Sequence, residues 1–229
     1  MKRSKLRRLA GFGIVLAAIG GFTLSAAVPA SAVSAVSAVS AVSATVPGKV
    51  QTAGDPLNVR RAANAAATAV KTVANGATVN IECQTTGSSV AGPLGTTTIW
   101  DYVPALGGYV SDGYVQTGSD GRVAPDCGTG TGSAQCAASC AAEGVFRSSD
   151  AHFVAYDTDA DGSSGVVQYW LADGSGPYYV WASGGNGTSV DKAAPVAKGK
   201  WVFYKVCTGH NTSPPTFAGC SAGLTDFAA

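Results

Sequence analysis

Lys200-Trp201-Val202-Phe203-Tyr204-Lys205-Val206-Cys207 is the run whose reading decides the fold. Successive side chains of a β-strand point to opposite faces. Trp201, Phe203 and Lys205 therefore share one face, and Val202, Tyr204 and Val206 share the other. Both faces carry large apolar groups, the pattern of a strand in a two-layer sandwich. Outward from this run, AHFVAY (151–156), GVVQYW (165–170) and YYVW (178–181) also read as strands. Asp157-Thr158-Asp159-Ala160-Asp161-Gly162 and Ala172-Asp173-Gly174 supply the turns. Residues 136–229 are thus expected to form a β-rich, sandwich-like domain. A composition rich in Gly, Ser, Thr and Val leaves little material for long helices.

Further out lies 128–135, whose Gly-Thr-Gly-Thr-Gly-Ser-Ala stretch has the composition of a linker. Before it, from 48 to 127, short β runs alternate with turn signals. The runs are Lys49–Thr52, Leu57–Arg60, Ala77–Cys83, Thr97–Val103 and Gly108–Val110. The separators are Gly54-Asp55-Pro56, Asn75-Gly76, Gly92-Pro93 and Gly107-Gly108. Several short strands so closely spaced predict a small barrel or sandwich. The fold class expected for the chain is therefore all-β.

Four blocks in this region carry a family resemblance: Leu57-Asn58-Val59-Arg60, Val73–Val79, Trp100-Asp101-Tyr102-Val103 and Gly108–Val115. In this order they resemble a bacterial SH3-like (SH3b) domain. The resemblance implies a small SH3-like barrel and a shallow groove, partly lined by Trp100, Tyr102, Tyr109 and Tyr114. It further implies docking on peptidoglycan peptide or on a peptide segment of another protein. Tyr and Trp suit such a groove, because each offers an apolar face and a hydrogen-bonding tip. The alternative is that the four rings fill a small core. Arg61-Ala62-Ala63-Asn64 departs from the family, standing where Ser-Gly-Pro is usual, on one rim of the expected groove. The segment 84–98 is also longer than in minimal members. In the C-terminal part, the layout DTDADG … W … KGKWVFYKVC … C is similar to small secreted actinobacterial proteins of unassigned activity, which implies export and a β fold.

The N-terminal end reads as an address. Lys2, Arg3, Lys5, Arg7 and Arg8 precede an uncharged apolar run that ends at Pro29-Ala30-Ser31-Ala32, the pattern of a signal peptide over 1–32. Residues 33–44 repeat Val-Ser-Ala, and 33–47 is expected to be a flexible tether, since such small side chains bury little area against the entropy of ordering. The whole chain carries 15 basic and 14 acidic residues, a balance of +1. Losing the five basic residues of the signal leaves 10 against 14, or −4. No Lys/Arg run remains to displace counterions from nucleic acid, or to favour an acidic membrane surface once the signal is cleaved.

Six cysteines remain: Cys83, Cys127, Cys136, Cys140, Cys207 and Cys220. An even number on an exported chain reads as a disulfide framework, although six cysteines allow 15 connectivities. Cys83 with Cys127, Cys136 with Cys140 and Cys207 with Cys220 is one plausible set. A zinc site from Cys136, Cys140, Cys207 and His210 is the rival. Asp157, Asp159 and Asp161 before Gly162 match the opening of a calcium loop, but position twelve is Gln168 and no helical pattern flanks the loop. A polar hairpin turn is the preferred reading, with calcium as the alternative.

Catalytic signatures are missing from the sequence. The two histidines, His152 and His210, belong to no H-E-x-x-H pattern, and neither a G-x-S-x-G nor a P-loop occurs. The expectation is a secreted or cell-wall-associated, monomeric, non-catalytic binding protein that needs no cofactor. The alternatives are an envelope hydrolase or antagonist carried by the C-terminal part, and a structural, calcium-stabilised envelope protein.

Overall fold

The computed structural model describes residues 44–229. The expected signal peptide, and the tether as far as residue 43, lie outside the described residues. The described chain is all-β: it contains no α-helix, and a single 3-10 turn interrupts its strands.

The first half holds two sheets. Strand β1 (Val46–Val50) pairs antiparallel with β4 (Thr78–Ile81) and with the short β8 (Val115–Gln116). The second sheet follows the order β3 (Ala69–Val73), β2 (Leu57–Arg60), β7 (Gly108–Ser111), β6 (Gly95–Val103), β5 (Cys83–Gly92). A 3-10 turn at Asp112–Tyr114 carries the chain from β7 into β8. Val50, Val59, Ile81, Val103, Val110 and Val115 form an aliphatic core between these sheets. Val46 packs against that core, so β1 begins inside the stretch expected to be tether. The long segment 84–98 is a hairpin, with Cys83 facing Tyr102 at one end and Gly92 facing Gly95 at the other.

The second half is a sandwich of two layers. One sheet runs β14 (Ser189–Ala193), β11 (His152–Asp157), β10 (Ala142–Arg147), β9 (Ser133–Cys136). The other runs β13 (Tyr178–Ala182), β12 (Ser164–Leu171), β15 (Trp201–His210), β16 (Thr216–Ala218), with β17 (Leu224–Phe227) also pairing β15. Between them lies an aromatic core in which Phe153 contacts Phe146, Tyr169 and Tyr204 at ring-centroid distances of 4.8, 4.7 and 5.1 Å. The layers approach so closely at Gly144 that a Cβ there would stand 2.6 Å from Val206 and 2.7 Å from Val167. Only one face of β15 is core: Val202, Tyr204 and Val206 are fully buried, whereas Trp201 is 39% exposed. On the outer face Phe203 rests against Trp170 instead.

The stretch 128–135, expected to be a linker, is pinned to the second half. The Gly130 N–H donates to Asp226 Oδ1 at 2.9 Å, and the Ser148 hydroxyl donates to the Gly130 carbonyl at 2.7 Å. Its last three residues belong to β9. Small residues in this stretch let its backbone polar groups reach partners, which a sequence reading takes for freedom. The described residues fall within one compact unit, and the two halves meet through side chains. Ala62 and Ala67 pack against Cys140, Cys136 and Ala134. Arg61 forms an ion pair with the fully buried Glu143, whose other oxygen accepts the Thr68 N–H at 2.5 Å.

All six cysteines are paired, as Cys83–Cys127, Cys136–Cys140 and Cys207–Cys220. No thiolate is left for the zinc alternative.

Candidate functional site

Three of the four aromatic residues singled out in the sequence, Trp100, Tyr102 and Tyr109, lie along one face of the five-stranded sheet of the first half, and Tyr114 follows in the 3-10 turn. Antiparallel partners point to the same side, so Trp100 shares a face with Ser111, and Tyr102 with Tyr109. Asp101, Val103 and Val110 fall on the opposite side and are buried. The aromatic face has two ends, and they have different fates.

At the first end an open groove of about 340 Å³ lies between the 52–57 turn, β2 and the 3-10 turn. Trp100 and Tyr114 line it together with Asp55, Asn58, Arg60 and Ser111. Trp100 is 2% exposed, and its indole N–H donates to the Ser88 carbonyl at 2.9 Å. The ring is fixed as a wall. Tyr114 is half-buried and its hydroxyl donates to the Ala91 carbonyl at 3.3 Å. Arg60 is steadied by donation to the Ala67 carbonyl at 2.8 Å. The Ser111 hydroxyl is buried and has no hydrogen-bond partner among the described residues. Buried polar groups are nearly always paired; Asp101 Oδ2, Asp157 Oδ2 and Asp226 Oδ2 share this state among the described residues, and the Ser111 hydroxyl lies beneath the groove wall rather than open to it.

At the second end the other half of the chain closes over the sheet. Tyr109 is 2% exposed. Burial pushes its hydroxyl far above the ordinary tyrosine value, and Tyr204, Tyr102 and Asp226 add to the effect. Tyr102 is half-buried, with its ring 5.1 Å from that of Tyr109. Burial, and then the charge of Glu82, raise its hydroxyl as well. These two tyrosines line a cleft of about 610 Å³ whose remaining walls come from both halves. The four expected groove residues are thus divided between two sites, Trp100 with Tyr114 and Tyr102 with Tyr109.

The Arg61-Ala62-Ala63-Asn64 segment explains the division. Its small side chains let β2 and the following turn dock on the Cys136–Cys140 bridge. Arg61 reaches Glu143 and lies over the Tyr156 ring at 3.9 Å. The departure from the SH3-like pattern is where the second half attaches.

Sequence reasoning missed the polar residues that hold this arrangement. Gln84 is fully buried; its amide nitrogen donates to Asp101 Oδ1 at 2.7 Å, and its oxygen accepts the Val123 and Ala124 N–H groups at 2.7 and 3.0 Å. This knot ties the 122–127 tail to the barrel beside the Cys83–Cys127 bridge. Burial pushes Asp101 up to about 7 and Asp112 up to about 6. The available signal was a charged residue inside an apolar strand, Asp101 within Ile99-Trp100-Asp101-Tyr102-Val103.

The acidic loop joins β11 to β12 as a turn. Asp157 Oδ1 accepts the Asp159 N–H at 3.4 Å, Asp159 Oδ1 the Ala160 N–H at 2.8 Å, and Asp161 Oδ1 the Ser163 N–H at 2.7 Å. Among the described residues no group of three or more His, Cys, Asp and Glu is placed to hold a metal ion. His152 Nδ1 is 2.6 Å from Asp191 Oδ1 in a surface network, and His210 is exposed. No helix among the described residues is long and apolar enough to cross a membrane.

Fold and clefts together define a disulfide-stapled, all-β protein with a cleft at each end of the Trp100–Tyr102–Tyr109 sheet face. Over 83 residues the chain is 37% identical to the uncharacterized protein YraI of Bacillus subtilis (strain 168), a match covering 33% of this chain and 70% of YraI. It is 36% identical to the uncharacterized protein YraJ of the same organism, with the same coverage. The chain belongs to the family that contains these two proteins. No protein-family model matches it.

Proposed function

We propose that the chain is a secreted or wall-associated binding protein, and that its first half docks peptidoglycan peptide or a peptide segment of another protein in the groove of Trp100 and Tyr114. The observation that carries this reading is the open groove of about 340 Å³ lined by Trp100 and Tyr114 together with Asp55, Asn58 and Arg60. A groove that joins apolar walls to a few polar groups favours an extended, partly apolar segment. Arg60 and Asp55 at the rim supply charges that orient such a segment. Export is supported by the basic head and apolar run at the start of the sequence, and by the use of every cysteine in a disulfide, since such bonds persist in oxidising compartments.

Co-sedimentation with purified peptidoglycan tests the reading. The disulfide-intact chain is expected to pellet with it. Tyr114→Ala should remove most of the bound fraction, and Arg60→Ala should reduce it. Tyr102→Ala, at the other end of the sheet face, should leave it unchanged. Equal pelleting of wild type and Tyr114→Ala would refute the groove assignment.

A further inference from the structure

The cleft between the halves is a second site, independent of the groove. Three charged side chains line it: Arg61, Arg147 and Glu82. Two of them are already engaged. Arg61 is held by Glu143, and Arg147 by Asp150 at 2.9 Å and Asp191 at 2.6 Å. Among the described residues, Glu82 has no cation within ion-pair distance. The uncompensated charge of the cleft is therefore negative, and it stands beside an aromatic ring. The Glu82 N–H donates to the Tyr102 carbonyl at 3.0 Å, and both residues line the cleft.

We propose that this cleft binds a basic side chain, the amine or guanidinium of a peptide, seated against the Tyr102 ring with Glu82 as its counter-charge. A cation over an aromatic face is attracted by the ring quadrupole, and more strongly where the site is partly desolvated. The same cleft already contains one such contact, because the Arg61 guanidinium lies over Tyr156 at 3.9 Å. A volume of about 610 Å³ admits a long basic side chain with its flanking peptide units. Hydroxyls of Thr131 and Ser149 from the second half complete the wall. The site exists only because the two halves are joined.

The test is a calorimetric titration of the disulfide-intact chain with the blocked tripeptide Ala-Lys-Ala and with its Ala-norleucine-Ala analogue, which keeps the alkyl stem and lacks the charge. The lysine peptide should bind, and the norleucine peptide should bind at least roughly tenfold more weakly. Glu82→Gln and Tyr102→Ala should each weaken the lysine peptide roughly tenfold, while Tyr102→Phe, which keeps the ring face, should retain binding. Tyr114→Ala should leave this titration unaltered, so a failure of the groove and a failure of the cleft are separable. All these positions are partly exposed, and an unchanged far-ultraviolet circular dichroism spectrum with a cooperative urea transition verifies each fold. Equal affinity for the two peptides, wild-type affinity in Glu82→Gln, or no heat with the lysine peptide would each overturn the proposal.

Discussion

The two halves of the molecule bury different chemistry. The first half has an aliphatic core of Val, Ile and Leu, and beside it a polar knot of Gln84, Asp101 and Asp112. The second half is built around packed rings, Phe146, Phe153, Tyr169 and Tyr204. A core of short aliphatic strands gives a small barrel with little area to bury, and its tail must be fastened by hydrogen bonds and a disulfide. The aromatic sandwich closes on itself. Arg61 and Glu143 join the two regimes, a buried charge pair between an Ala-rich turn and an aromatic wall.

If the halves act as one body, that pair is where the comparison breaks most visibly. Arg61→Ala leaves the Glu143 carboxylate fully buried with no cation, which should cost about 3–5 kcal/mol. Replacing both partners, as Arg61→Met with Glu143→Leu, should recover most of the loss. Urea denaturation checks both variants. A loss below about 1 kcal/mol in Arg61→Ala would show the halves to be energetically separate.

The polar knot gives the first half a pH dependence of its own, and Asp157 and Asp226 of the second half, also raised by burial, act in the same sense. Asp101 stands at about 7 in the folded chain, above its ordinary value of 3.8, because burial disfavours its charge. The folded state therefore holds a proton that the unfolded chain releases. The stability this contributes is complete below about pH 4 and is lost as pH rises toward 7, by on the order of 4 kcal/mol. Asp112, raised to about 6, acts in the same direction. Asp150 and Asp191, lowered by Arg147 on the surface, act in the opposite sense, and their share is lost as pH falls below the ordinary carboxylate range. Asp101→Asn should flatten the decline between pH 4 and 8 in urea midpoints. A decline equal to wild type would remove Asp101 from the account.

Much of the second half was legible because its core strands obey a simple period. Val202, Tyr204 and Val206 alternate with outward residues and are all fully buried. β10 was not legible. Its Glu143 and Gly144 look like breakers, yet Glu143 is satisfied by residues more than seventy positions away, and Gly144 is required by the close approach of Val206. The SH3-like blocks located the aromatic residues of the first half, but no local pattern could divide them into two sites. That division depends on the 3-10 turn, which brings Tyr114 to the groove of Trp100, and on the docking of the second half over Tyr109. Both are long-range facts.

The staples should follow loop length. Removing Cys83–Cys127, with a sequence separation of 44, frees the largest loop and should cost about 4 kcal/mol by chain entropy. Removing Cys136–Cys140, with a separation of 4, should cost about 2 kcal/mol by the same count. Paired Cys→Ala variants compared by thermal melting would measure the difference. A larger loss from the short bridge would mean that its packing against Ala62 and Ala67, rather than its loop, is what stabilises the junction.

The smallest effect sharpens the contrast between the two arginines of the cleft. Arg147 makes more ionic contacts than Arg61, meeting Asp150 and Asp191 together. Both of those carboxylates are about half exposed, with side chains 46% accessible. Water and salt screen such pairs, and exposed ones contribute about 0–1 kcal/mol. Asp191→Asn should therefore shift the urea midpoint only slightly, and the shift should shrink further in 0.5 M salt. The Arg61→Ala loss should persist at that salt concentration, because Glu143 is shielded from ions. If the two variants responded alike to salt, burial would not be what separates the clamp from the surface network.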